Sequence, residues 1–254
     1  DELKSRIDSC LDATILEDIY LPYKPKRKTR ATQAIEKGLE PLAKLLFEQS
    51  SFDIQEAAAA YINDEVKDSK DALQGARDIM AEWIAENEQS RTSIRKLFQD
   101  TAVLTAKIIN SKKDDPEAQK YRDYFEYTAP LRNCPSHRTL AIRRGEKEEF
   151  LLMDINVDKL AGADLLEKIF VQSNTPAAAE VRLAATDSFD RLLKPSIENE
   201  FRMSSKTTAD EEAIRVFAEN LRQLLLASPL GSKRVLALDP GFRTGCKLVC
   251  LDAQ

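Results

Sequence analysis

Apolar positions recur at three- and four-residue spacing along most of the chain, the period of a helix that buries one face. Leu3, Ile7, Cys10 and Leu11 open the pattern. A basic, proline-bounded break follows at 21–30, "LPYKPKRKTR". Helical signals then resume through "ATQAIEKG" and "EPLAKLLFEQ", with Gly38 as a stop and Pro41 as a restart. Ala72, Ala76, Ile79, Met80, Trp83 and Ile84 form one stripe behind a Ser69 N-cap. A further helix is predicted over 91–110, and Asp115 and Pro116 read as the cap and first turn of another.

The period changes at 138–157. There "RTLAIRRGEKEEFLLMDINV" reads as two strands around a turn at Gly145, a β-hairpin whose start His137 would fix. Helices return with Thr175 and Pro176 as cap and first position, and run to Pro195, which should kink or break them. Thr208 and Glu211 match a capping box, with Ile214, Phe217, Ala218, Leu221, Leu224 and Leu225 as a wide apolar stripe behind it. After the linker "SPLGSKR" the chain closes on a strand, a turn and a second strand. Val235 to Leu238 are apolar without alternation, Asp239 ends the first strand, and Pro240–Gly241 turns the chain. Two strands alone are marginal in water, so this pair is expected to pack on the chain's helices or on another copy.

Composition supports a mainly α fold. The 254 residues hold 32% charged side chains and only 7 glycines, too few for a turn-rich β-sandwich or barrel. The net charge of -5 gives no global attraction to nucleic acid or anionic lipid, so any such contact needs a local patch. No apolar run reaches the ~18 residues of a membrane span. Cys10, Cys134, Cys246 and Cys250 form no CxxC pair and His137 is the only histidine, which argues against a zinc site or a disulfide framework. Reduced, buried cysteines of a cytosolic protein are expected. The opening "DELKSRID", without methionine, reads as a piece of a longer protein.

Three groups could carry chemistry. Lys24, Lys26, Arg27, Lys28 and Arg30 are interleaved with prolines and follow Tyr20 and Tyr23. Held extended, these cations could track a phosphate backbone while a tyrosine stacks on a base; salt bridges to acidic neighbours are the competing reading. Arg143 and Arg144 could bind phosphate, against the alternative of a solvated hairpin face. Ser136 and His137 make no catalytic pair, because adjacent side chains usually point apart and no GxSxG elbow is present. Asp239, an acid at a strand end, could anchor Mg²⁺, as in ribonuclease-H-like nucleases or sugar-kinase/actin-type ATPases. Both need carboxylates from later strands, and only Asp252 follows it, so a two-metal site cannot be built here.

Taken together, "LEDIYLPYKPKRKTRATQAIEKGLEPLA" (16–43), "RDIMAEWIAEN" (77–87), "SHRTLAIRRGE" (136–146), "RLLKPSIENEFR" (191–202), "EAIRVFAENLRQLLL" (212–226) and "VLALDPGFRTGCK" (235–247) resemble the Tex family of bacterial transcription accessory proteins. The resemblance implies a cytoplasmic, nucleic-acid-associated parent. Its parts would be a helical N-terminal region, a YqgF/ribonuclease-H-like domain, helix-hairpin-helix modules and a C-terminal S1 RNA-binding domain. Residues 1–230 would be the helical region with its hairpin near 138–157, and 231–254 the first strands of the YqgF-like domain, an α/β domain cut short. Asp239 matches the first acid of such domains, with Mg²⁺ as its ion in the full-length parent. The chain itself is then expected to be a non-catalytic, cofactor-free scaffold that contacts RNA or DNA. The rival readings are part of a metal-dependent nuclease with Asp239 as a ligand, and a protein–protein scaffold on the transcription machinery. No membrane partner is expected.

Overall fold

In a computed structural model, residues 2–25, 28–241 and 245–253 are described. They form two compact units, Asp1–Asp210 and Glu211–Gln254. The first is mainly helical. Seven helices, α1 (Glu2–Ser9), α2 (Ala13–Tyr20), α3 (Arg30–Glu36), α4 (Glu40–Phe47), α5 (Ile54–Ala59), α6 (Ser69–Glu86) and α7 (Glu88–Thr101), precede strand β1 (Val103–Ile108). Strand β2 (Glu126–Pro130), helix α8 (Ser136–Lys147) and strand β3 (Leu151–Asn156) follow. Helices α9 (Lys159–Phe170) and α10 (Pro176–Asp187) lead through a π-helical turn at Ser188–Leu193 into α11 (Lys194–Leu225), within which the unit boundary falls.

The core gathers around α6, which packs against α3, α4, α5 and α10. Ala72, Ala76, Ile79, Met80 and Ile84 of the expected stripe are fully buried, as are Leu42 and Leu46 of α4. Each large side chain removed from water in this way contributes about 1.5–3 kcal/mol. The cap of α6 is Asp68, one residue before the expected Ser69; its carboxylate accepts from the Asp71 N–H at 2.8 Å. Gly38, with φ 81°, stops α3, and Pro41 stands in the first turn of α4. Gln49 then holds a left-handed φ of 57°. Its amide donates to the Phe170 carbonyl and accepts from the Gln172 N–H, both at 2.8 Å, while its own carbonyl accepts from Ser173 and Thr175. These bonds tie the end of α4 to the start of α10 and offset the backbone strain.

Two expectations about strands are corrected. The hairpin at 138–157 is a helix followed by a strand. Thr139, Ile142 and Gly145 are buried at three-residue spacing, which is a helical face. Gly145 is not a turn residue: a Cβ there would meet Leu151 Cδ1 at 2.6 Å, so glycine lets α8 lie close on β3. His137 therefore stands exposed in the first turn of α8 rather than at the start of a hairpin. The helix expected over 91–110 ends at Thr101, because Ala102, Leu104 and Ala106 bury alternate positions. The resulting β1 is the centre of an antiparallel sheet ordered β2-β1-β3, with Leu104 between Ala129 and Ile155.

Two helix boundaries differ as well. Pro195 does not break the chain's helical course, since the wider π-helical turn lies just before it. There the ladder is already altered, and proline's missing N–H and its clash with the preceding turn are accommodated. Thr208 and Glu211 lie inside the continuous α11 rather than at its start. Ala209 is buried, and an ion pair of Lys206 with Asp210 spans that turn. Asp115 caps only a short turn, accepting from the Glu117 N–H ahead of a 3₁₀ segment at Ala118–Tyr124.

Asp78, on α6, carries a pH dependence of clear sign. Burial raises its carboxyl above the usual 3.8, Arg191 opposes this, and Asp187 adds to it. Arg191 lies 3.5 Å from Asp78 and 2.5 Å from Asp187. A raised folded pKa means stability that is complete below the unfolded value and is lost as pH rises through the folded one. Asp78→Asn removes that loss. The stability of the variant relative to the parent should therefore improve between about pH 4 and pH 7 in chemical denaturation.

The second unit holds the rest of α11 and an antiparallel hairpin, β4 (Val235–Gly241) with β5 (Gly245–Leu251). The two strands occur as read, but β4 runs on through Asp239, Pro240 and Gly241, which pair with Lys247, Cys246 and Gly245, so Asp239 does not end the strand and Pro240–Gly241 is not the turn. The expectation that the pair packs on the chain's helices does not hold. Leu236, Leu238, Leu248 and Val249 are more than half exposed. Cys246 and Cys250 lie exposed on the same hairpin, while Cys10 and Cys134 are half-buried, so the four free thiols are not the buried cysteines expected.

Candidate nucleic-acid interface

Helix α8 turns its small buried face to β3 and carries Arg143, Arg144 and Lys147 on the remainder of its surface. Its position against α11 is fixed by Arg202, which is paired with Glu146 and donates to the Met153 carbonyl at 2.5 Å. Arg143 in turn donates to the Arg202 carbonyl at 3.1 Å, a bond that orients the guanidinium without neutralising it. One turn further along α11, Lys206 reaches the same place.

The result is an open hollow of about 660 Å³ lined by Arg143, Arg144, Lys147 and Lys206, with Glu146 and Glu148 as its carboxylates. Both acids are already engaged. Glu146 binds Arg202, and Lys120 binds Glu148 at 2.5 Å. That hydrogen bond from Lys120, followed by one from Tyr121, holds the Glu148 carboxyl below the usual 4.5, so it stays ionised and committed. Lys206 is paired with Asp210. Among the described residues no ion pair is recorded for Arg143, Arg144 or Lys147. With four cations against two carboxylates in its lining, and Arg144 also lowering Glu148 through its charge, the hollow is a local positive site on a chain whose net charge is negative.

The basic run is placed differently. Lys24 follows a 3₁₀ turn at Leu21–Tyr23 and pairs with Glu17 at 2.8 Å; Lys28 lies 3.9 Å from Glu36. Arg30 begins α3 and lines a small hollow with Asp71 and Asp78. Lys26 and Arg27 lie outside the described residues. The run is thus not one extended track of free cations in its described part. Arg143 and Arg144 are brought together with Lys147 and Lys206, two residues that sequence reasoning missed. Lys147 is one helical turn from Arg143, a signal hidden by the strand reading; Lys206 comes from a distant segment and left none.

Asp239 is exposed on β4, with the Lys247 ammonium 4.0 Å away. No group of three or more metal-ligating side chains occurs among the described residues, so a single carboxylate does not fit the two-metal chemistry considered for it. No helix of the described residues is long and apolar enough to cross a membrane.

Sequence comparison with known proteins covers nearly the whole chain. The family described as Tex central region-like matches residues 49–217, from the end of α4 into α11. Protein tex of Bordetella pertussis is 39% identical over 99% of this chain and 34% of its own length. Transcriptional accessory protein Tex of Neisseria gonorrhoeae is 36% identical over 99% of the chain and 34% of its own. The human S1 RNA-binding domain-containing protein 1 is 30% identical over 96% of the chain and 26% of its own. The chain spans about a third of the length of the bacterial relatives and about a quarter of the human one. With the family match running through the sheet, α8 and most of α11, the chain belongs to the Tex family.

Proposed function

We propose that this chain is a non-catalytic scaffold of a cytoplasmic, transcription-associated protein, and that it contacts the phosphates of RNA or DNA through the groove between α8 and α11. The observation that carries the reading is the convergence of Arg143, Arg144 and Lys147, none of them in an ion pair among the described residues, in a hollow whose two carboxylates are engaged elsewhere. Cations so placed neutralise phosphates and release counterions, which is the main source of sequence-independent affinity. The names of the relatives, a transcriptional accessory protein and an S1 RNA-binding domain protein, support the same parent function. Residues 231–254 read as the opening hairpin of the parent's YqgF/ribonuclease-H-like domain. Their uncovered apolar strands suit a domain completed by further chain.

Salt dependence tests the groove. Three phosphate contacts predict that log K for a single-stranded oligonucleotide falls with log salt at a slope of about −2. In Arg143→Glu/Arg144→Glu the slope should fall below about 1 as affinity drops. A slope unchanged by the double reversal would place the contact elsewhere.

A further inference from the structure

We infer that a second hollow, at the other end of α8, is a subsite for one unstacked nucleobase of the strand whose phosphates lie in the groove; this inference rests on the groove reading. The hollow measures about 260 Å³ and is walled by α7, α8, α11 and the turn after β2. Pockets for drug-sized ligands run from about 300 to 1,000 Å³, so this one suits a single ring system.

Its walls are fixed before any ligand arrives. The Phe201 ring stacks on Phe98 at 5.5 Å and 29°, giving an aromatic side that cannot swing away. Thr139, buried, donates to the Cys134 thiol at 3.4 Å. The rim carries polar groups of the kind that read a base edge: the exposed Gln99 amide, Arg132, and the hydroxyls of Ser204 and Ser205. Both serines donate back to their own helix, to the Phe201 and Arg202 carbonyls at 3.3 Å. A hydroxyl has one donor and two acceptor positions, so these two offer acceptors to a ligand. Acceptors favour a base with an exocyclic amino group, such as cytosine or adenine, over uracil.

Position joins the two sites. Thr139 lines the hollow and Arg143 lines the groove, one turn apart on α8, about 6 Å along its axis. That is the reach of one nucleotide, and single strands are recognised in this way, with backbone on cations and a splayed base against an aromatic wall.

The test uses fluorescence anisotropy with short single-stranded RNA oligomers and the chain itself. A cytidine oligomer should bind about fivefold tighter than a uridine oligomer, the worth of one ordinary hydrogen bond. In a cytidine oligomer long enough to occupy one register, removing the base at one position should weaken binding about tenfold, as loss of base–aromatic contact does. Thr208→Phe, which fills the hollow from an exposed helix position, should abolish both differences while leaving the salt slope intact. Gln99→Ala, also exposed, should reduce the base effect without touching the core. Binding that ignores base identity and base removal, yet is lost in Arg143→Glu/Arg144→Glu, overturns the subsite and leaves the groove standing. Binding that ignores the double reversal overturns both.

Discussion

Asp18→Ala is expected to cost the folded chain about 3–5 kcal/mol, read as a lowered midpoint in urea denaturation. Asp18, on α2, is 4% exposed and sits at the centre of a four-residue charge cluster. It accepts from Arg91 at 2.5 Å and from Arg95 at 2.9 Å, and the same two arginines hold Glu200 of α11 at 2.6 and 2.8 Å. Two cations balance two anions. Removing Asp18 leaves two guanidiniums to share Glu200 in a poorly hydrated site, and an uncompensated buried charge is far more costly than the pair was favourable. For that reason Asp18→Leu combined with Arg91→Met should cost clearly less than Asp18→Ala alone. If the double replacement were the worse of the two, the cluster would be a net source of stability rather than a device for alignment.

That alignment reaches the candidate surfaces. Arg95 lies one turn before Gln99 on α7, and Glu200 is beside Phe201 and near Arg202 on α11. The charge cluster therefore sets the register of the two helices that wall the small hollow, and of the helix that carries Lys206 into the groove. Weakening it should loosen nucleic-acid contact together with the fold.

Phe189→Ala should be comparably damaging, at about 3–5 kcal/mol, because it deletes a fully buried aromatic ring. The ring lies over Gly162 of α9, where a Cβ would approach its Cε2 and Cζ atoms to 2.2 Å. Glycine in a helix interior costs about 1 kcal/mol relative to alanine, so propensity alone would favour Gly162→Ala. The clash decides the sign: the ring sits in the π-helical turn between α10 and α11, packed on all sides, and the overpacking costs about 1–3 kcal/mol. The two substitutions should couple. In a Phe189→Ala background the new methyl group enters the void left by the ring, and Gly162→Ala should then become stabilising. Additive losses would mean that Gly162 is not there to admit the ring.

The helical scaffold was legible because its stripes are long. Ala72 to Ile84 repeats its apolar positions over more than three turns, a pattern that a strand cannot mimic. Short segments were harder. "RTLAIRRGE" mixes β-branched and aliphatic residues with a glycine near its end, and reads equally as a strand leading to a turn. Only the tertiary contact of Gly145 with Leu151 shows why glycine is in a helix there. The same misreading concealed the groove: on a strand, Arg143 and Lys147 share a face with every alternate residue, whereas on α8 they stack one turn apart. Lys206, Phe201 and Gln99 come from segments far away in the chain, and no local pattern could have joined them. The basic run at 24–30 was conspicuous in sequence because its charges are adjacent. In space, two of them are answered by Glu17 and Glu36.

The central claim is that the groove of α8 and α11, rather than the basic run, is the contact surface for nucleic acid. The direct measurement is the affinity of one single-stranded RNA, at fixed low salt, for the parent chain, for Arg143→Glu/Arg144→Glu and for Lys24→Glu/Lys28→Glu. The groove reversal should weaken binding by at least about tenfold, and the reversal of the paired lysines by less than about threefold. The opposite order, with the Lys24 and Lys28 variant losing the RNA and the groove variant keeping it, would contradict the account.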